Sequence, residues 1–207
     1  MKKYKVFLKS ICIVMITQAL IYFFIKIFLN DYNVIESFMN TPFLKGFVYF
    51  YDSWYPIIAI SAFVIYYNDF DNYKSLLYTM LLGALLSHIT FLIYPTMIVR
   101  PVIEVNNITD FILDFTYKTD TPAVNCLPSV HCLFCFIMSY YLIKTKNLKT
   151  IYKIIMCLYL LLIVLSTLFI KQHIIEDVIL SFIYAAISII IVYILKPKLD
   201  KLLKFMY

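Results

Sequence analysis

The sequence predicts an all-α membrane protein, a polytopic bundle of six transmembrane helices that forms one domain over residues 1–207. Of the 207 residues, 63% are hydrophobic and only 14% are charged. A soluble domain cannot bury that much apolar side chain, so the bilayer must be its solvent. The apolar residues also form stretches close to the roughly 20 residues that a helix needs to cross the hydrocarbon core.

Six apolar stretches are the predicted spans. They are Ile11–Leu29, Phe47–Tyr67, Leu76–Ile98, Leu127–Ile143, Ile154–Ile170 and Ile175–Leu195. A basic leader precedes the first stretch, but the apolar run is too long for a signal peptide and no small-residue cleavage site follows. We therefore expect a retained first helix. No repeat or long linker divides the chain, which favours a single bundle.

The distribution of lysine predicts the orientation, because cytoplasmic flanks of membrane helices collect basic residues. With six spans, both termini and the connections 68–75 and 144–153 share one side, which holds most of the 18 basic residues. We expect that side in the cytoplasm and the protein in a bacterial plasma membrane. The net charge of +6 then reflects membrane topology, so no nucleic-acid partner is expected.

Two connections lie on the opposite side. The first, Asn30–Gly46, is predicted to be an interfacial segment. The second, Arg100–Cys126, carries apolar residues at helical spacing, namely Ile108, Phe111, Ile112 and Phe115. A short amphipathic helix on the membrane surface explains this pattern, and a plain covering loop is the alternative. The basic tail from Lys196 is expected to rest on the anionic inner leaflet.

Arg100, Ser129 and His131 are polar residues at the predicted outer ends of two spans. Arg100 is the only arginine, and its planar donors match phosphate or carboxylate oxygens in pairs, whereas lysine serves as the anchor elsewhere. Ser129 opens the fourth helix, where free amides attract an anion and where serine is also a common N-cap. His131 lies one turn into a membrane helix, which indicates a function because ionisable groups are costly there.

His173 and Asp177 are four residues apart at the predicted start of the sixth helix, on one face and within hydrogen-bonding reach. A carboxylate on one imidazole nitrogen fixes the tautomer and makes the other nitrogen a better nucleophile or base. An exposed ion pair is the alternative. Lys171 adds a positive group for an anion. Because the third helix ends where the fourth and sixth begin, topology predicts one site at the extracytoplasmic face.

These residues resemble the three signature blocks of the type 2 phosphatidic acid phosphatase (PAP2) superfamily, Lys-x6-Arg-Pro, Pro-Ser-Gly-His and Ser-Arg-x5-His-x3-Asp. The matching segments, all within residues 93–177, are Arg100-Pro101, Pro128-Ser129-Val130-His131 and Ser166-Thr167-x5-His173-x3-Asp177. The resemblance implies hydrolysis of a lipid phosphate or pyrophosphate at the outer leaflet through a phosphohistidine, with no metal and no cofactor. By this resemblance His173 attacks phosphorus, Asp177 orients it and His131 protonates the leaving oxygen.

The resemblance also implies a cradle for the phosphoryl oxygens. Its predicted members are Arg100, Ser129, Lys171, Ser166 and Thr167. Two positions depart from the family pattern, since Ile93 replaces the lysine of the first block and Thr167 the arginine of the third. Two cations are therefore missing, and Lys171 is predicted to replace one of them.

Several other interpretations stay open. The altered blocks, with Val130 in place of glycine, also resemble those of the sphingomyelin and inositol-phosphorylceramide synthases. In these enzymes a head group passes to an alcohol. A catalytically silent lipid-binding or transport component is a third class. A serine triad of Ser129, His173 and Asp177 lacks a nucleophile-elbow sequence, and the spacing of Cys126, His131 and Cys135 is not a zinc pattern. His88, in the middle of a span, is predicted to be a hydrogen-bonded interior residue.

Overall fold

The computed structural model describes residues 2–28 and 31–206, with side chains for 5–28 and 31–205. Its helices are α1 (Lys2–Phe28), α2 (Val48–Asp52), α3 (Trp54–Asn68), α4 (Phe70–Ile93), α5 (Ile108–Thr119), α6 (Val130–Lys144), α7 (Thr150–Phe169) and α8 (Ile175–Leu202). Strands β1 (Asn33–Val34) and β2 (Thr96–Met97) pair in parallel. Turns of 3-10 helix lie at Lys45–Phe47 and Lys204–Met206. The predicted helical class is confirmed.

Within the described residues, five helical segments are long and apolar enough to cross a membrane, as in an integral membrane protein. They are Lys5–Phe28, Lys45–Asn68, Phe70–Ile93, Thr150–Phe169 and Ile175–Leu202. The predicted fourth span corresponds to α6, which has only 15 residues and is about 22 Å long at 1.5 Å per residue. A sixth crossing by α6 stays a prediction. The predicted limits Leu29 and Asn30 lie outside the described residues.

Helix α6 lies at the centre of the bundle, against α3, α4, α7 and α8. Its buried side chains point to all of these neighbours and include Cys132, Leu133, Phe134, Cys135, Ile137, Met138, Tyr141 and Leu142. Gly83 allows α4 to approach closely, since a Cβ there would lie 3.2 Å from Leu133 and 3.3 Å from Ile137. Small residues at such crossings are typical of membrane helix packing.

Local chemistry sets where α4 and α6 begin and end. The Asp69 side chain accepts from the Asn72 amide at 3.1 Å, so α4 begins six residues earlier than the predicted Leu76. It ends at Ile93 because Tyr94 precedes Pro95, and a residue before proline is disfavoured in the helical region. The predicted end at Ile98 is therefore wrong, and residues 96–97 are a strand instead.

Helix α5 forms where a helix or a plain loop was predicted. Asn107 caps it by accepting from the Asp110 amide at 3.0 Å. The apolar side chains Ile108, Phe111 and Phe115 point outward and are exposed, whereas Asp110 is buried. Asp110 docks the helix through an ion pair of 2.7 Å with Lys45, which holds the pKa of that carboxyl below its ordinary value. The outward apolar face suits a helix at a membrane surface.

The predicted basic tail is the continuation of α8, which runs through Pro197 to Leu202. Lys196 pairs with Asp71 and with Asp200, both at 2.8 Å. The tail is therefore packed against the start of α4 by ion pairs. Its contact with the inner leaflet stays a prediction.

Candidate active site

Three extended segments cross the end of the bundle where α4 ends and α6 and α8 begin. Strand β1 pairs with β2, and Met97 of β2 forms an antiparallel bridge with Val124. The Asn125 amide donates to the Thr96 carbonyl at 2.8 Å, and the Leu127 amide donates to the Thr96 hydroxyl at 3.0 Å. These bonds fix the two chain segments that carry Arg100 and Ser129.

The His173 ring and the Asp177 carboxylate are hydrogen-bonded, with 2.9 Å between Nδ1 and Oδ2. The same oxygen accepts from the Ile174 amide at 3.1 Å. Asp177 is 0% exposed, which excludes the exposed ion pair considered from the sequence. The Thr167 carbonyl accepts from the His173 amide at 3.0 Å, and Lys171 takes a left-handed conformation with φ 56°. The α7–α8 turn thus holds the histidine in place.

The His131 ring lies beside His173, with 6.2 Å between the ring centroids. Tyr51 stacks on it at 4.8 Å, and the Trp54 ring lies 4.5 Å away. The Trp54 indole also donates to the His131 carbonyl at 3.2 Å. Sequence reasoning missed both aromatic residues. Tyr51 is one of 19 tyrosines, and Trp54, although it is the only tryptophan, belongs to none of the motif blocks.

The side chain of Arg100 is 8% exposed and faces the half-buried carboxylate of Asp120. Its Nη2 atom donates to Asp120 Oδ2 at 2.7 Å, and its guanidinium lies 5.1 Å from the centre of the Tyr117 ring. The Tyr117 hydroxyl donates to the Ile170 carbonyl, three residues before His173. Sequence reasoning missed Asp120, and the only signal was its position near the end of the predicted amphipathic helix.

Cys126 is a buried residue that lies shortly before the start of α6. Burial raises the pKa of the Cys126 thiol, the Asp177 carboxylate raises it further, and Arg100 lowers it. The Tyr117 side chain, which contacts both Arg100 and the Ile170 carbonyl, links the Arg100 side to the turn that carries His173. A single site shared by these residues stays a prediction.

The hydroxyl groups of the predicted cradle are buried and bond to their own helices. Ser129 is the N-cap of α6 and accepts from the Cys132 amide at 3.3 Å. Ser166 donates to the Ile163 carbonyl at 2.6 Å, and Thr167 to the Val164 carbonyl at 2.8 Å. A phosphoryl group would therefore have to share these hydroxyls with the backbone. Their role as substrate ligands stays a prediction.

A cavity of about 330 Å³ opens beside His173. Its wall is formed by the connection between α1 and α2, with Glu36, Ser37, Asn40 and Thr41 among the lining residues. Glu176 anchors this connection by accepting from the Phe38 amide at 2.7 Å and from the Ser37 hydroxyl at 3.0 Å. The segment predicted to be interfacial therefore packs over His173, because polar groups of the α8 start hold it there.

Lys171 lines the same cavity, and its ammonium donates to the carbonyl of Thr41 and, at 2.9 Å, to the hydroxyl of that residue. The cation is thus held next to His173 by two neutral acceptors. No carboxylate among the described residues pairs with it, so its positive charge stays available to an anion in the cavity.

A model of the PAP2 superfamily matches residues 72–201, which is more than half of the chain. The chain belongs to the PAP2 superfamily. Neither a curated protein nor a solved structure matches it. PAP2 membership confirms the resemblance and indicates a phosphatase-type activity. The PAP2 segment contains every predicted site residue, whereas Thr41, Tyr51 and Trp54 lie outside it.

Removal of the Lys171 ammonium tests its predicted place in the PAP2 site. We expect Lys171→Ala to lower kcat/KM about ten- to hundredfold, since a hydrogen bond to a charged group contributes about 1.5–3 kcal/mol. Phosphate release from a lipid phosphate measures the effect, and Lys171→Arg should restore part of it. Thr41→Val is the matched control, because it removes one partner of the ammonium and leaves the charge. Unchanged turnover of Lys171→Ala would contradict the prediction.

Proposed function

We propose that this PAP2 protein is a membrane lipid phosphate or pyrophosphate phosphohydrolase that acts at the outer leaflet through a phosphohistidine. His173 is the proposed nucleophile, Asp177 its positioning residue and His131 the general acid. Arg100, Ser129, Ser166, Thr167 and Lys171 are the proposed ligands of the phosphoryl oxygens. We further propose a bacterial plasma membrane as its location, with both termini in the cytoplasm.

The hydrogen bond between His173 Nδ1 and Asp177 Oδ2, 2.9 Å long, carries the proposal. An ionised Asp177 accepts only, so Nδ1 holds the ring proton and Nε2 keeps its lone pair. That lone pair attacks phosphorus while the P–O bond of the substrate breaks. The carboxylate then stabilises the positive charge that develops on the ring.

His131 is well placed to protonate the leaving-group oxygen, because the centroid of its ring lies 6.2 Å from the centroid of the His173 ring. A phosphoryl group seated on His173 Nε2 would bring the bridging oxygen between the two rings. His131 donates its proton to that oxygen as the bond breaks, and a water completes the reaction by attacking the phosphohistidine. The two histidines therefore need opposite protonation states at the start of the reaction.

The surroundings of the site support a lipid substrate. The cavity beside His173 combines apolar residues such as Ile98, Val99 and Ile174 with the Lys171 cation. The outward apolar face of α5, with Ile108 and Phe111 exposed, belongs to the connection that follows Arg100. An amphipathic substrate fits such a boundary, with its phosphate in the site and its chains in the bilayer.

One observation favours a head-group phosphotransferase as a second candidate. Glu36 and Asn40 line the cavity next to His173, and such groups can hold and orient an alcohol through hydrogen bonds. An alcohol placed there would replace water as the acceptor of the phosphohistidine. With a phosphodiester lipid as donor, His173 would carry the phosphoryl group together with its ester-linked head group. Transfer of that group to the alcohol would form a new phosphodiester, which separates this reaction from hydrolysis.

A radiolabelled lipid phosphate tests the proposed function directly. Full-length protein in detergent should release labelled phosphate without added metal, and rapid alkaline quenching should leave label on the protein, because a phosphohistidine survives base and is lost in acid. His173→Asn should retain no label. A parallel reaction with a phosphodiester lipid labelled in its head-group phosphate, together with an alcohol acceptor, distinguishes the phosphotransferase, which would form a new labelled diester. Absence of turnover with glycerolipid and isoprenoid phosphates would instead favour a silent lipid-binding protein.

A further inference from the structure

Three donors converge on the Asp120 carboxylate, just after α5. Arg100 Nη2 lies 2.7 Å from Oδ2. The Lys26 ammonium and the Tyr22 hydroxyl, both from α1, lie 3.2 Å and 3.0 Å from Oδ1. One carboxylate therefore holds two cations from distant parts of the chain. The two oxygens of a carboxylate present the same acceptors as two oxygens of a phosphate. The side-chain donors of Arg100, Lys26 and Tyr22, which we call the nest, therefore also suit a phosphoryl group.

The nest is continuous with the candidate active site. Arg100 lies over the Tyr117 ring, and the hydroxyl of Tyr117 reaches the Ile170 carbonyl in the turn that carries His173. Val99, next to Arg100 in the chain, lines the cavity together with His173. Asp120 and the nest cations therefore lie at the edge of the proposed phosphate site.

The positions where the PAP2 pattern carries two further cations cannot supply them here. Ile93 is 77% exposed on the outside of the bundle, so a side chain at that position points away from the site. Thr167 is 0% exposed, and its hydroxyl contacts the Cys132 sulfur at 3.4 Å in the packed α6–α7 interface. The helix packing thus leaves no room for an arginine there. A dianionic phosphate still needs compensating charge, since burying unpaired charge is costly.

We infer that Lys26 of α1 is a further phosphate-binding residue of this enzyme, and that Asp120 holds Lys26 and Arg100 until the phosphate of the substrate displaces its carboxylate. Lys26 has a side chain that is only 12% exposed and is oriented by the same carboxylate as Arg100. When phosphate enters, Arg100 and Lys26 exchange the Asp120 carboxylate for phosphate oxygens. This inference rests on the proposed function and adds a ligand outside the PAP2-matched segment.

Binding of inorganic phosphate to the full-length protein in detergent tests the inference without turnover. We expect Lys26→Gln to weaken phosphate binding about tenfold or more, as for loss of a charged hydrogen bond. Lys26→Arg should restore binding. Asp120→Asn removes the competing charge and should tighten phosphate binding about tenfold. In the double variant Lys26→Gln/Asp120→Asn the effects should not add, because both act on one anion.

The ion pair at the other end of α5 is the matched control. Lys45→Gln and Asp110→Asn break a pair of 2.7 Å that also docks this helix and has no contact with Arg100. Both should leave phosphate binding unchanged. If Lys26→Gln binds phosphate as tightly as the wild type, or Asp120→Asn binds it no better, the inference is overturned while the proposed function stands. A wild-type protein that neither binds phosphate nor cleaves a lipid phosphate overturns both.

Discussion

His173→Ala is expected to abolish turnover, with a fall in kcat on the order of 10⁴-fold or more, because the variant has no nucleophile to accept the phosphoryl group. In the His173 ring, Nδ1 is hydrogen-bonded to Asp177, so Nε2 is the nitrogen whose lone pair remains free to attack. Phosphate release from a panel of lipid phosphates measures the loss. Activity that survives this change would contradict the phosphohistidine mechanism.

A loss of activity in His173→Ala has to be separated from a loss of folding. Asp177 is 0% exposed, and removal of its partner leaves a buried carboxylate whose remaining bond is to the Ile174 amide. Breaking a buried charged pair typically costs about 3–5 kcal/mol. His173→Asn keeps a donor near Asp177, so it should unfold at a higher temperature than His173→Ala and be equally inactive. His88→Gln, in the middle of α4, is the control for histidine replacement and should keep its activity.

His131→Gln is expected to give the second largest loss of kcat, and the size of this loss should depend on the leaving group of the substrate. General acid catalysis contributes about 10²–10⁴-fold, so kcat on a lipid phosphate, whose alkoxide leaves poorly, should fall within that range. An aryl phosphate with an acidic phenol needs little protonation, and its turnover should fall far less. The comparison of the two substrates on one variant isolates the proton transfer. An equal loss on both would assign His131 a different role.

The aromatic packing around His131 supplies the control for that experiment. Tyr51 stacks on the imidazole at 4.8 Å, and Tyr51→Phe keeps the ring while removing the hydroxyl. Because the stacked ring holds the imidazole in place without exchanging a proton with substrate, turnover of both substrates should be retained. Trp54→Phe should lower the turnover of both substrates more than Tyr51→Phe does, since it removes the indole donor to the His131 carbonyl.

The part of the site that could be predicted depends on local spacing and topology. Four residues separate His173 from Asp177, and a helix start necessarily places such residues within reach. The ends of spans on one side of a bilayer must also meet at one face, which brings Arg100 and His131 to the same end as that pair. Helical periodicity likewise predicted α5 from Ile108 and Phe111, although a loop of the same composition was an equal alternative.

The rest of the site depends on contacts between residues far apart in the chain, for which a single sequence carries no signal. Lys26 and Asp120 are 94 positions apart, and a charged residue near a helix end is too common to indicate a contact. Thr41 and Lys171 are 130 positions apart, so the cavity wall over His173 could not be assigned to the α1–α2 connection. The short length of α6, 15 residues, is compatible with its central position, because a helix surrounded by protein need not match the thickness of the bilayer.

By itself, the sequence determined that this chain is a helical membrane protein of the PAP2 superfamily that carries the His173–Asp177 pair and His131, since hydrophobic length and residue spacing act locally. Only the tertiary structure decided what surrounds them. In the folded protein, Ile93 is exposed on the outside of the bundle and Thr167 is completely buried. Arg100 and Lys26 both pair with the Asp120 carboxylate. The physical reason is that charge compensation depends on which groups packing brings within a few ångströms, and helix packing sets those distances.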